Sequence, residues 1–276
     1  GDQRYGRTEG HSMSVVDPRN LFDVSGKTII ITGATGALGG SIARALAAAG
    51  ANLMLSAGNA EALAQTVTDC RAAGAQVAFL ARRPETEADA NAIIAHAAET
   101  FGSIYGLIVA SGCNLPKQIG DMTTLDFQSV MDANVLGSWL MSKAAGAQFI
   151  SQGQGGKVVL ISSVRGRHGS PLGYSSYCTS KAAVDGLTRA LALEWGPHRI
   201  NVNAIGPTVF RSNLTAWMFD DDKTGGQANV PALKRIPLGR LGEADDLTGI
   251  LLYLVSPASD FCTGQVIYVD GGYTAG

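Results

Sequence analysis

From Gly26 onward the chain alternates between short, continuously apolar runs and longer alanine-rich stretches with helical period. Lys27–Thr32 reads as a strand and Leu38–Ala49 as a helix. A run apolar at every position must be covered on both faces, whereas apolar residues every third or fourth position mark a one-sided helix. The alternation continues through strand Asn52–Ser56, helix Glu61–Ala73 stopping at Gly74, strand Gln76–Leu80, helix Glu85–Thr100 and strand Gly106–Ala110. One long helical region over Leu125–Ile150 then precedes strand Lys157–Ser162, helix Ser176–Trp195, strand Arg199–Ile205, helix Glu243–Leu254 and strand Gln265–Val269. This order predicts an α/β fold with a doubly wound parallel sheet of about seven strands and helices on both faces.

Short connections and the lack of a fixed-period repeat make residues 13–276 one domain. Residues 1–12 are polar and lack the apolar core of a signal peptide, so they read as an expression-tag remnant before a native start at Met13. Residues 208–240 form a longer irregular stretch with Asp220–Asp222, Gly225–Gly226, Pro231 and Pro237. They are either a substrate-binding lid or a solvated loop.

Composition narrows the function. The chain has 276 residues, 46% hydrophobic and 16% charged, with a formal net charge of −2. Nothing there offers the positive field that nucleic-acid binding needs. No apolar run approaches the ~20 residues of a membrane helix. Four cysteines lacking framework or metal-ligand spacing read as reduced thiols in a cytoplasmic protein, and no metal site is expected.

Among the 35 glycines, three fall in Thr32-Gly-Ala-Thr-Gly-Ala-Leu-Gly39, between the first strand and first helix. Gly33, Gly36 and Gly39 allow a tight turn and close backbone approach, and the helix amino terminus beyond offers free N–H groups to a pyrophosphate. In that strand–turn–helix context the glycines define a Rossmann-type dinucleotide site. Downstream, Tyr177-Cys-Thr-Ser-Lys181 sets a phenol and an ammonium four residues apart on one helical face. A free phenol with a pKa of about 10 is a poor base at neutral pH, and a nearby cation is expected to lower that value. Ser163 ends a strand shortly upstream, on the sheet edge where such folds bind ligands.

The glycine loop, Asn134 in Met131-Asp-Ala-Asn, Ser163, Tyr177 and Lys181 resemble, in order and spacing, the short-chain dehydrogenase/reductase family. Asn201-Val-Asn-Ala-Ile-Gly-Pro207 and Val269-Asp-Gly-Gly272 extend the resemblance over Gly26–Tyr273. Its C-terminal block is similar to gluconate 5-dehydrogenase-like and 3-oxoacyl-carrier-protein reductase-like members. The resemblance implies an NAD(P)-dependent oxidoreductase, an alcohol dehydrogenase or carbonyl reductase. It moves a hydride between the nicotinamide and a small carbonyl or secondary alcohol. Tyr177 would be the general acid/base, Ser163 would position the substrate oxygen, Lys181 would assist the tyrosine and hold the ribose, and Asn134 would hold a relay water. It further implies cofactor contacts from Gly33, Thr35, Gly36, Leu38, Gly39, Ser56, Ala57, Arg83, Ala110, Ser111, Gly112, Tyr177, Lys181, Pro207, Phe210 and Ser212, and a homotetramer.

The sequence departs from the family at the adenine end. Ala37 stands where the loop usually has glycine, and Val109-Ala-Ser-Gly112 replaces the usual Asn-Asn-Ala-Gly. The acid that selects NAD would fall at Ala57. With that acid absent and Arg82-Arg83 following the third strand, the cofactor is NAD or NADP, with a lean to NADP. Substrate contacts are expected from Arg165, His168, Arg211 and Trp217. The alternative is a non-catalytic dinucleotide-binding or regulatory protein on the same fold.

Overall fold

A computed structural model of the chain describes residues 17–211, 215 and 232–276. The expected tag remnant, and Ser212 and Trp217 within the 208–240 segment, lie outside the described residues. Seven parallel strands form one sheet: β1 (Thr28–Thr32), β2 (Asn52–Ser56), β3 (Val77–Leu80), β4 (Gly106–Val109), β5 (Gly156–Ile161), β6 (Ile200–Pro207) and β7 (Val266–Val269), in the order β3-β2-β1-β4-β5-β6-β7. The short α1 (Pro18–Leu21) precedes β1; α2 (Ala37–Ala48), α3 (Ala60–Ala72) and α4 (Glu87–Phe101) each follow a strand.

Alternation along the strands builds two cores, because successive side chains point to opposite faces. Ile29 and Ile31 of β1 join Leu53 and Leu55 of β2 beneath Ile42 and Leu46 of α2 and Leu63 and Val67 of α3. Ile30 and Met54 point the other way, into Ile93 and Ile94 of α4 and into Leu140 and Met141. All of these side chains are at most 5% exposed, which is why the central strands read as continuous apolar runs.

Two predicted helices are not continuous. The expected Leu125–Ile150 helix is broken into α5 (Thr124–Met131), a π-turn over Asp132–Leu136, and α6 (Gly137–Gln152). The widened turn holds Asn134, whose side chain is tied to a distant loop, and such turns mark places where a side chain's partners outweigh regular helix geometry. The expected Glu243–Leu254 helix starts as a 3-10 turn over Ala244–Leu247, with Glu243 N–H donating to the Asp246 carboxylate, and becomes α-helical at Thr248. The helix carrying the Tyr–Lys pair, α7 (Ser175–Trp195), is continuous. Strand order reverses between β1 and β4, opening a crevice at the strands' carboxyl ends, where open α/β sheets bind ligands.

Candidate active site

The glycine loop leaves β1 at that crevice. Gly33 has φ +70°, and a Cβ there would lie 2.5 Å from the Ser111 nitrogen and 2.7 Å from the Ala110 oxygen. The loop thus packs directly on the end of β4, a fit only glycine allows. Thr32 and Ser111 join their hydroxyls at 3.0 Å across the same seam. Gly36 N–H donates to Gly33 O at 2.9 Å, and a Cβ on Gly39 would collide with that same oxygen.

The next helix starts without a side-chain cap. Asn59, Thr86 and Thr123 cap α3, α4 and α5 with their side chains, but α2 begins at Gly36 with no side-chain cap. Its first-turn N–H groups are therefore not spent on a side chain, and Thr35, Gly36 and Leu38 stand at the accessible mouth of the loop. This geometry fits a pyrophosphate held by free N–H donors and the positive helix end.

At the adenine end, the Ser56 hydroxyl is buried and donates to the Arg82 carbonyl at 2.5 Å. Ala57 is buried beside it, and Asn59, whose side chain caps α3, is committed to Ala62 N–H. The two arginines separate. Arg82 is paired with Asp89 at 3.1 Å, while the Arg83 side chain lies across Gly58, with Cγ 3.0 Å from where a Cβ would stand. Arg83 has no carboxylate partner among the described residues. The exposed cation therefore sits beside the end of β2, where Ser56 tethers its loop.

The four expected catalytic residues meet between β4, β5 and α7. Asn134 accepts Cys113 N–H at 2.7 Å and donates to Cys113 O and to the Ser180 hydroxyl, each at 2.9 Å. Ser180 in turn donates to Tyr177 O at 2.8 Å. The π-turn is thereby locked to the β4 loop on one side and to α7 on the other. Gly112 fits between them: a Cβ would stand 2.6 Å from Asn134 Oδ1 and 3.7 Å from Lys181 Nζ.

Lys181 is buried, donates to Ile161 O at 2.8 Å, and lies 5.5 Å from the Tyr177 ring centre. Burial draws its pKa down to about 8, against the opposing pull of Asp185 and Cys113. The Tyr177 hydroxyl bonds Ser163, which lowers its pKa, but burial wins and the net shift is upward. The expected lowering is thus not the net result in the protein alone, because desolvation of a phenolate exceeds what one hydroxyl donor returns. Ser163 also reaches Pro207 O at 3.4 Å and accepts Arg165 N–H at 3.2 Å. Phe210 is buried against Gly242, with its carbonyl accepting the Thr215 hydroxyl.

The expected substrate contacts divide. Arg165 and His168 stand in the turn after Ser163, whereas Arg211 is drawn to Glu243, its Nε 3.0 and 3.1 Å from the two carboxylate oxygens. The sequence pattern singles out neither Ser162 nor Asp185. Ser162 donates to buried Asp185 Oδ1 at 2.5 Å and to Lys181 O at 3.4 Å, bracing the α7 turn that carries the lysine. The available signal was an acid four residues beyond Lys181 on the same face. Tyr273 and Arg235, also not singled out in the sequence, pack with Arg165, both arginines lying over the Tyr273 ring.

A glycine turn with free helix N–H groups, a phenol–ammonium pair and a serine at the crevice are the parts a nicotinamide-dependent oxidoreductase on a Rossmann-type sheet requires. Residues 33–274 match the family model described as enoyl-(acyl carrier protein) reductase, and the chain belongs to the short-chain dehydrogenase/reductase family. An uncharacterised oxidoreductase of Mycobacterium tuberculosis is 52% identical over 254 residues, covering 92% of this chain and 93% of its own. The 2-dehydro-3-deoxy-D-gluconate 5-dehydrogenase of Escherichia coli is 34% identical over 256 residues, covering 93% and 98%. A gluconate 5-dehydrogenase from Burkholderia cenocepacia, solved with NADP and tartrate, superposes with a TM-score of 0.85 at 29% identity, covering 93% and 98%. The chain is a short-chain NAD(P)-dependent oxidoreductase acting between a small-molecule alcohol and a carbonyl, and nothing favours the non-catalytic alternative. Among the described residues, no helix is long and apolar enough to cross a membrane.

Proposed function

We propose that Tyr177 is the proton donor and acceptor of this oxidoreductase. In carbonyl reduction its hydroxyl gives a proton to the substrate oxygen, and in alcohol oxidation its phenolate takes one. When bound, the nicotinamide supplies or accepts the hydride. Ser163 holds the substrate oxygen next to the phenol. Lys181 has one N–H spent on Ile161 O; its remaining donors serve the ribose hydroxyls, and its charge favours the phenolate. Asn134 fixes the β4 loop to α7 and retains a water for proton return. The interlocked Asn134–Ser180–Tyr177 chain of hydrogen bonds is the observation that carries this reading.

Gly33, Thr35, Gly36, Leu38 and Gly39 hold the pyrophosphate, with Ala110, Ser111, Gly112, Pro207 and Phe210 lining the crevice. NADP is favoured, supported by Arg83 across Gly58 and by Ala57 in place of a repelling acid. Homotetramer assembly through α6 and α7 is supported by an apolar groove of about 350 Å³ lined by Trp139, Gly146, Ile150, Leu191 and Trp195. Light scattering should return a tetramer mass; a monomer refutes this. Unpaired Cys70, Cys113, Cys178 and Cys262 support a reducing, cytoplasmic compartment.

The test is a screen of alcohols and carbonyls with NAD(H) and NADP(H), following nicotinamide absorbance. Turnover with at least one pair, with NADPH bound more tightly than NADH, is expected. Cofactor binding without turnover of any compound contradicts the assignment.

A further inference from the structure

Two guanidinium groups share one aromatic ring at the substrate side of the site. Tyr273 follows the Gly271–Gly272 turn and is only 3% exposed. Arg235 Cζ lies 4.4 Å from its ring centre, and Arg235 Nη1 donates to its hydroxyl at 3.1 Å. Arg165 Cζ lies 5.7 Å from the same ring and 5.9 Å from the Tyr174 ring. The Tyr174 ring meets Tyr177 edge-on at 6.1 Å. A continuous set of contacts therefore runs from the paired cations to the reacting phenol.

Among the described residues the pair lacks a counter-charge. Arg82, Arg211 and Arg240 are matched with Asp89, Glu243 and Asp246, but Arg165 and Arg235 meet no carboxylate among the described residues. Asp270, the acid nearest Tyr273 in sequence, is turned to Gly272 and Thr274 N–H groups. His168 adds a ring edge-on to Tyr273 at 6.1 Å, with its buried Nε2 unpartnered. Two like charges gathered on one ring without an acid repel each other, and a bound anion removes that cost.

Resting on the oxidoreductase reading above, we propose that Arg165 and Arg235 bind a carboxylate of the substrate, making this enzyme specific for hydroxy acids and their oxo forms. Arg165 already spends Nη1 on Gly169 O at 2.6 Å, and Arg235 spends Nη1 on Tyr273. Each guanidinium keeps donors for one oxygen of a planar carboxylate. Tyr273 sets the spacing between the two arginines and hence the distance from the carboxylate to the reacting carbon.

The test compares kcat/KM for a panel of oxo and hydroxy acids with their methyl esters, which keep the reacting carbon and lose the charge. Phosphate monoesters of matched alcohols form a third arm. Wild type should favour free acids over esters by about tenfold or more, mainly through KM. In Arg165→Gln and in Arg235→Gln the acid-to-ester ratio should collapse towards one. A purely structural role for the arginine–tyrosine stack would lower both rates together and leave the ratio intact, overturning the proposal. Esters or phosphate monoesters used as well as acids by wild type also overturn it, while leaving the oxidoreductase reading standing. If no compound in any arm turns over, both fall.

Discussion

Two buried lysines at opposite ends of β5 show how this fold separates structure from chemistry. Lys157, near the start of the strand, is 3% exposed and satisfies its ammonium with Asn201 Oδ1 at 2.9 Å, Ser259 Oγ at 3.3 Å and Asp260 Oδ1 at 2.7 Å. Lys181, beside the strand's other end, is 5% exposed but donates to one protein oxygen, Ile161 O. A lysine ammonium has three donors. At the amino-terminal edge all three are used and the strand is tied to the Pro257–Ser259 turn; at the carboxyl edge two are left beside the crevice. The same residue type, equally buried, is finished in one place and left with donors to spare in the other.

That contrast can be tested from both sides. Lys181→Met should fold and lose about a hundredfold or more in kcat/KM, the scale of an impaired general acid/base; steady-state turnover with circular dichroism checks both. The same variant bears on pH. Because the Lys181 pKa is drawn from 10.5 to about 8 in the folded protein, the unfolded chain holds that proton more tightly. Stability from this group therefore rises as pH climbs from 8 to 10.5. Melting curves of wild type should gain across that window relative to Lys181→Met, and parallel curves refute the shift.

Lys157→Met should do the reverse, costing about 1–3 kcal/mol of stability from the hydrogen bonds it strips while leaving kcat unchanged. A loss of kcat at full folding would erase the division between the two edges. The smallest effect is at the adenine end, where Arg83→Ala should weaken NADPH binding about tenfold and leave NADH binding unaltered. Equal losses for both cofactors would contradict a 2′-phosphate contact.

Local pattern made most of this legible. All seven strands lie within one or two residues of their expected positions, because continuous apolar runs such as Thr28–Thr32 have no other way to be buried. The Tyr177–Lys181 spacing needs only a helix to bring the two together. What the chain did not announce depends on contacts distant in sequence. The π-turn at Asp132–Leu136 exists because Asn134 reaches back to Cys113 and forward to Ser180. Arg82 and Arg83 look alike as neighbours, and only folding sends one to Asp89 and the other over Gly58. Arg165 and Arg235 are joined by Tyr273, near the chain's end.

The direction of the Tyr177 shift belongs to the same class. A neighbouring ammonium argues for a lowered value, but the phenol's burial is a property of the whole crevice and outweighs the lowering by the Ser163 hydrogen bond and the Arg165 charge. A protonated Tyr177 is the form that donates in carbonyl reduction.

The most direct test removes that one hydroxyl. Tyr177→Phe should bind NADPH and lose about a thousandfold or more in kcat/KM with any substrate the wild type accepts. Turnover at the wild-type rate by Tyr177→Phe would contradict the account.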